Sequence, residues 1–124
     1  MTNLPPVVNL AAASRQLSEP WQPRVVAALN DVHFKVAYVL GEFPWHHHGD
    51  TDEAFLILEG EVLLDFPDGT RTIGPGELCV VPKGLEHRPR STAGARIALI
   101  EPAGVRNTGN LTDDAKTTES DVWL

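Results

Sequence analysis

The stretch GEFPWHHHGDTDEAFLILEG, residues 41–60, decides how this chain folds, and its reading starts from three adjacent histidines. His46 and His48 are two residues apart, so extended backbone turns both imidazoles to one face and His47 to the other. Beyond a turn at Gly49 to Asp52 the chain runs back through Glu53, a carboxylate at the mouth of the apolar run AFLIL. A charge placed there needs a partner to be tolerated, and a bound cation would supply it. A fourth donor comes from GELCVVPKGLEHRPR, residues 76–90, where Pro82 ends an apolar run and the following loop presents His87. His46, His48, Glu53 and His87 thus fall at spacings at which two short hairpin segments aim four ligands at one divalent metal ion.

Outward from these stretches, ten Gly and ten Pro break up short runs of Val, Ile, Leu and Phe, the punctuation of an all-β domain. Strands are expected at 34–40, 44–48, 53–59, 61–66, 70–73, 77–82, 87–90 and 96–101, with Pro67, Asp68 and Gly69 marking a tight hairpin. Close spacing without βαβ alternation predicts an antiparallel sandwich or barrel. One short helix is expected at about Asn9 to Leu17, capped by Asn9 and stopped by Pro20. The 124 residues make one domain: a helix and arm over about 1–30, a barrel core over about 31–104, and a C-terminal arm over about 105–124. That last segment is polar and poor in pattern, and reads as an extended arm or partly disordered tail.

A net charge of −7 and scattered Lys and Arg argue against a nucleic-acid partner. The single cysteine, Cys79, excludes an internal disulfide framework, and its place in LCVV reads as a buried small hydrophobe. No basic segment precedes an apolar run at the N-terminus and no window reaches the length of a membrane span, so a cytoplasmic protein with no membrane partner is expected.

The chain resembles the cupins, small β-barrels on the jelly-roll plan, also called double-stranded β-helices. Gly41, His46, His48, Glu53 and Gly60 take the places of the first cupin motif, and Gly76, Pro82, Gly84 and His87 those of the second. The resemblance covers roughly Phe34 to Glu101 and extends to short stand-alone bacterial cupins that carry a mannose-6-phosphate isomerase-like label. It departs in two places: the Gly41 to His46 gap is one residue short, and Ser91 stands where the second motif often ends in Asn. The resemblance implies His46, His48, Glu53 and His87 as metal ligands.

Three neutral imidazoles and a carboxylate suit Fe(II), Mn(II), Ni(II), Zn(II) or Cu(II) and leave positions open for water, dioxygen or a chelating substrate. Loss of the metal, leaving a polar pocket, is the alternative. Strand parity puts Phe55 and Ile57 inward with Glu53, and Ala54, Leu56 and Leu58 outward, so both faces of that strand are apolar; a homodimer covering the outer one is expected. By the same parity Pro89 shares the side of His87 while Arg88 and Arg90 face away, and Phe43 and Trp45 share the face opposite His46. Only Lys35 and Arg96 are candidates to meet a phosphate, so the sugar-phosphate label is weakly supported and a small, partly apolar, oxygen-chelating ligand fits better. His33 reads as structural, and Glu42 and Tyr38 are the weak candidates for an acid or base. Three functions stay open on this scaffold: a dioxygenase- or isomerase-like metalloenzyme, a non-catalytic ligand or metal sensor, and a barrel stapled by a structural metal.

Overall fold

The computed structural model describes residues 3–124. Its elements are α1 (Leu10–Ser14), β1 (Arg24–Leu29), β2 (Val32–Glu42), β3 (Glu53–Gly60), β4 (Val62–Phe66), β5 (Gly69–Ile73), β6 (Leu78–Val81) and β7 (Arg88–Pro102). Every strand pairing is antiparallel, in the order β1-β2-β7-β3-β6, with β4 bridging β5 to β7. This is the jelly-roll barrel with one short helix that the sequence predicts.

The 15-residue β7 organises the barrel. It lies along β2 from Val32↔Pro102 to Glu42↔Arg90, along β3 from Ala54↔Ile100 to Gly60↔Ala95, and against β4 at Leu63↔Arg90 to Asp65↔Arg88. One strand serves three partners because register shifts at Val39/Gly41 and Ile57/Glu59 let the sheet bend around a closed interior. Two segments expected as separate strands, 87–90 and 96–101, are parts of this single one.

Alternation holds on β3. Glu53, Phe55 and Ile57 are buried, and Ala54, Leu56 and Leu58 are half-buried on the outer side. The interior also takes Val39, Val62, Leu64, Ile73 and Ile97. Each aliphatic chain fully removed from water stabilises the fold by about 1.5–3 kcal/mol.

Four expectations need correction. The helix ends at Ser14 rather than Leu17, and the Arg96 guanidinium closes it by donating to the carbonyls of Ser14 and Leu17 at 2.5 and 2.6 Å. A strand at 24–29 was not foreseen; it pairs with β2, and its Val25 also bonds the chain end through Val122 and Leu124. The segment 44–48 is not a strand but a single bridge, His46↔His87, flanked by Pro44, which has no N–H to give a ladder. The C-terminal arm over 105–124 is folded onto the barrel, with Thr108 fully buried.

Candidate metal centre

The four predicted donors come together. His46, His48, Glu53 and His87 are all buried, and one ligand atom of each lies within 4.8 Å of the others. His46 and His48 stand on the segment entering β3, Glu53 is the first residue of β3, and His87 immediately precedes β7. The bridge between His46 and His87, with backbone bonds of 3.0 and 2.9 Å, brings the two motifs side by side.

The ring nitrogens are sorted by the backbone. His46 Nδ1 lies 2.9 Å from Pro44 O and His87 Nδ1 2.9 Å from Leu85 O. A carbonyl only accepts, so both Nδ1 atoms carry the proton and each Nε2 keeps the lone pair that a metal would take. Fixing a ligand imidazole through its second nitrogen is the usual outer support of a metal site.

Glu53 Oε1 lies 3.3 Å from His48 Nε2 and 3.4 Å from His87 Nε2. None of these three buried atoms has a hydrogen-bond partner of proper geometry. Buried polar atoms are rarely left so, and three converging with their lone pairs on one point fit a divalent cation better than one another. The cluster could hold a metal ion.

Electrostatics agree. Burial, with His87 beside it, lowers the His46 pKa from 6.5 to about 4, which keeps the imidazole neutral as a ligand must be. Burial pushes the Glu53 carboxyl up, but the His48 and His87 contacts outweigh it and hold the group below the usual carboxylate range. Behind Glu53 lies a group not foreseen from the sequence. Glu101, buried against Glu53, is pushed well above its ordinary value by burial and then by the Glu53 charge, while its Oε1 accepts from Lys35 Nζ at 3.0 Å.

A cavity opens beside the cluster, with about 40 Å³ available to the centres of water-sized molecules. His46 and Glu53 line it together with Trp21, Ala37, Val39, Phe43, Phe55, Pro89, Ile97 and Leu99, so its walls are apolar. Asn107 also lines it, but its amide is tied to Lys116 O and Thr118 N. Trp21 was missed in the sequence: it adopts φ 65°, donates its indole N–H to Leu40 O at 2.8 Å and packs 4.7 Å from Phe43, whose ring meets the His46 edge at 5.2 Å.

Several lesser candidates fall elsewhere. Pro89 is buried beside the cavity as parity requires, whereas Arg88 and Arg90 turn away to chelate Asp65. Phe43 and Trp45 do not share a face: Phe43 is buried and Trp45 is exposed beneath the Arg88 guanidinium, because the Pro44 segment is not a regular strand. Glu42 is exposed and paired with Arg88, and Tyr38 packs under Arg96, so neither reaches the cluster. Lys35 is buried and donates to Glu101, and Arg96 is committed to the helix end; neither is offered to a phosphate. His33 lies near Asp121 and Trp123, and His47 pairs with Glu86. Cys79 is only partly buried, and that burial raises its thiol pKa.

Barrel and cluster together define a small jelly-roll protein with an internal three-histidine, one-glutamate site. The chain belongs to the cupin domain family, whose model matches residues 35–101. It is 39% identical over 84 residues to the uncharacterized protein YdbB of Bacillus subtilis strain 168, covering 67% of this chain and 74% of that one. It is 42% identical over 60 residues to the acireductone dioxygenase of Rhodopseudomonas palustris, covering 45% of this chain but only 36% of that enzyme. Among solved structures, a cupin-2 domain protein from Shewanella frigidimarina superposes with TM-score 0.75 at 43% identity, over 77% of this chain and 94% of that one. The described residues hold no helix long and apolar enough to cross a membrane.

Proposed function

We propose that His46, His48, Glu53 and His87 hold one divalent transition metal, Fe, Mn, Ni, Zn or Cu, and that the protein is a small-molecule metalloenzyme with dioxygenase-like rather than acid–base chemistry. The observation that carries this reading is the meeting of orphaned ligand atoms with an apolar cavity. A bound ion would supply Lewis acidity and open positions for an oxygen-bearing substrate or dioxygen.

The chain's own part is to bind, orient and exclude water. Pro44 and Leu85 carbonyls fix the two ring tautomers, and Glu53 stays anionic as a donor. Ala37, Val39, Phe43, Phe55, Ile97 and Leu99 favour a ligand that is apolar beyond its chelating oxygens. A diketone, catechol or enol has that character, and the likeness to a dioxygenase leans the same way. An isomerase moving protons by a side chain is less well supported, because the cavity offers no acid or base besides the ligands themselves.

That same lack gives the second reading, a sensor that captures a chelating ligand without turnover. Oxygen uptake by Fe-, Mn- or Ni-loaded protein with small diketones and catechols separates the two. Uptake dependent on His87 supports the enzyme; ligand-induced changes in the metal's absorption with no uptake support the sensor.

A further inference from the structure

The two edges of the His46 to His48 segment are held by different parts of the chain. In extended backbone the N–H and C=O of successive residues point to opposite edges. His46 and His48 turn theirs to the loop before β7, where His46 exchanges bonds with His87 and His48 O accepts from Gly84 N at 2.7 Å. His47 turns its pair the other way, to Asn110. The His47 N–H donates to Asn110 Oδ1 at 2.9 Å, and the Asn110 N–H donates to His47 O at 3.0 Å.

The approach is close enough to dictate a residue. Gly109 has φ +58°, and a Cβ placed on it would stand 2.1 Å from His47 O and 3.1 Å from Cδ2 of His46. No other residue fits there without moving the ligand-bearing segment.

The loop that carries Gly109 and Asn110 is cross-braced by hydrogen bonds. Thr108 is fully buried, and its Oγ1 donates to Leu111 O at 2.7 Å and lies 2.6 Å from Thr117 Oγ1. Asn107 bonds Lys116 O and Thr118 N across the loop, and Arg106 donates to Gly109 O at 2.9 Å. All of this lies outside the residues 35–101 that match the family.

We propose that residues 107–110 are a positioning strap for the metal centre, in which Asn110 and Gly109 set the spacing of the His46 and His48 imidazoles from outside the barrel. The inference rests on the reading that the cluster binds a metal. The bonds of Asn110 go to the His47 backbone, so it acts by closing the edge of the peptide that joins the two ligands. Without its side chain the His47 N–H loses its acceptor, the segment gains freedom, and ligands that must be held to within about 0.5 Å are held less well.

The test titrates Co(II) into metal-free full-length protein, following the visible spectrum, for the parent, Asn110→Ala, Asn110→Asp and Gly109→Ala, with the metal-free melting temperature of each. Asn110→Ala is expected to weaken Co(II) binding about tenfold, the lower range for outer supports of metal ligands, and to change the band shape. Asn110→Asp keeps the accepting oxygen and restores both. Parent-like affinity and spectrum in Asn110→Ala overturn the strap even if Gly109→Ala fails to fold. A parent that binds no Co(II) overturns the metal reading itself, a separate result from loss in the variant alone.

Discussion

At the scale of the residue, Glu53 shows how a costly group signals its own purpose. A carboxylate opening an apolar strand is readable in one dimension, and so are His46 and His48 by parity and His87 by the second motif. Their identities and offsets suffice because neighbours along the chain orient them. Glu101, Trp21 and Asn110 were not legible, since each acquires its role only from partners far away in sequence: Lys35, Leu40 and His47. Glu53→Ala is expected to keep the barrel, by circular dichroism, and to lose added metal on gel filtration; equal retention would strike Glu53 from the ligands.

The His46 pKa also makes a prediction. Proton competition for an ordinary imidazole ligand centres near its usual pKa of about 6.5. With His46 lowered to about 4, its competition with metal shifts to that more acidic range. In the metal-free protein the unfolded chain binds more protons than the folded one between these values, so stability falls as pH drops through the window, by up to about 3 kcal/mol. Glu101, raised in the fold, has the opposite sign, contributing stability in acid that is lost as pH rises. The His46 part is therefore the difference between parent and His46→Gln in urea denaturation from pH 7 to 4: the variant should show less acid destabilisation, and parallel curves would contradict it.

At the scale of the element, alternation on β3 was readable because one face is buried and the chain pays for every slip. Breaks in the pattern were not: Pro44 interrupts a predicted strand, and the 88–102 run is one bent strand because bulges, invisible to periodicity, let it change partners. β1 escaped notice among the prolines that precede it. Gly60 shows where the backbone is most constrained. It has φ +81°, and a Cβ there would lie 2.6 Å from Gly94 O, whereas Gly41, at φ +80°, has open space. Gly41→Ala should cost about 1–2 kcal/mol from handedness alone. Gly60→Ala should cost clearly more in urea denaturation; equal losses would show that the Gly94 contact relaxes freely.

At the scale of the whole molecule, the outer face stays partly apolar. β6 ends the sheet order, and its Leu78 and Val80 are more than half exposed beside the half-buried Ala54 and Leu56 of β3. A second copy covering this face is the expected homodimer, so sedimentation should give a dimer that Val80→Lys shifts towards monomer; a monomeric parent would refute it. The fold class was legible because two motifs and a strand rhythm repeat a known plan. The C-terminal closure was not, because it is held by backbone and polar side-chain hydrogen bonds that leave no hydrophobic rhythm. A metal held only by the folded barrel stabilises it, by about 2.7 kcal/mol at a hundredfold excess over Kd. Chelator should therefore lower the melting temperature of loaded protein, and lower that of loaded His87→Ala, which keeps three of the four donors, by less.

The most direct measurement is X-ray absorption at the metal edge of protein loaded with a single equivalent of Mn(II) or Fe(II) and freed of excess. The account predicts a shell containing three imidazole nitrogens and a carboxylate oxygen, reduced by one imidazole in His87→Ala. A spectrum of the hydrated ion, with no imidazole scattering, would contradict it.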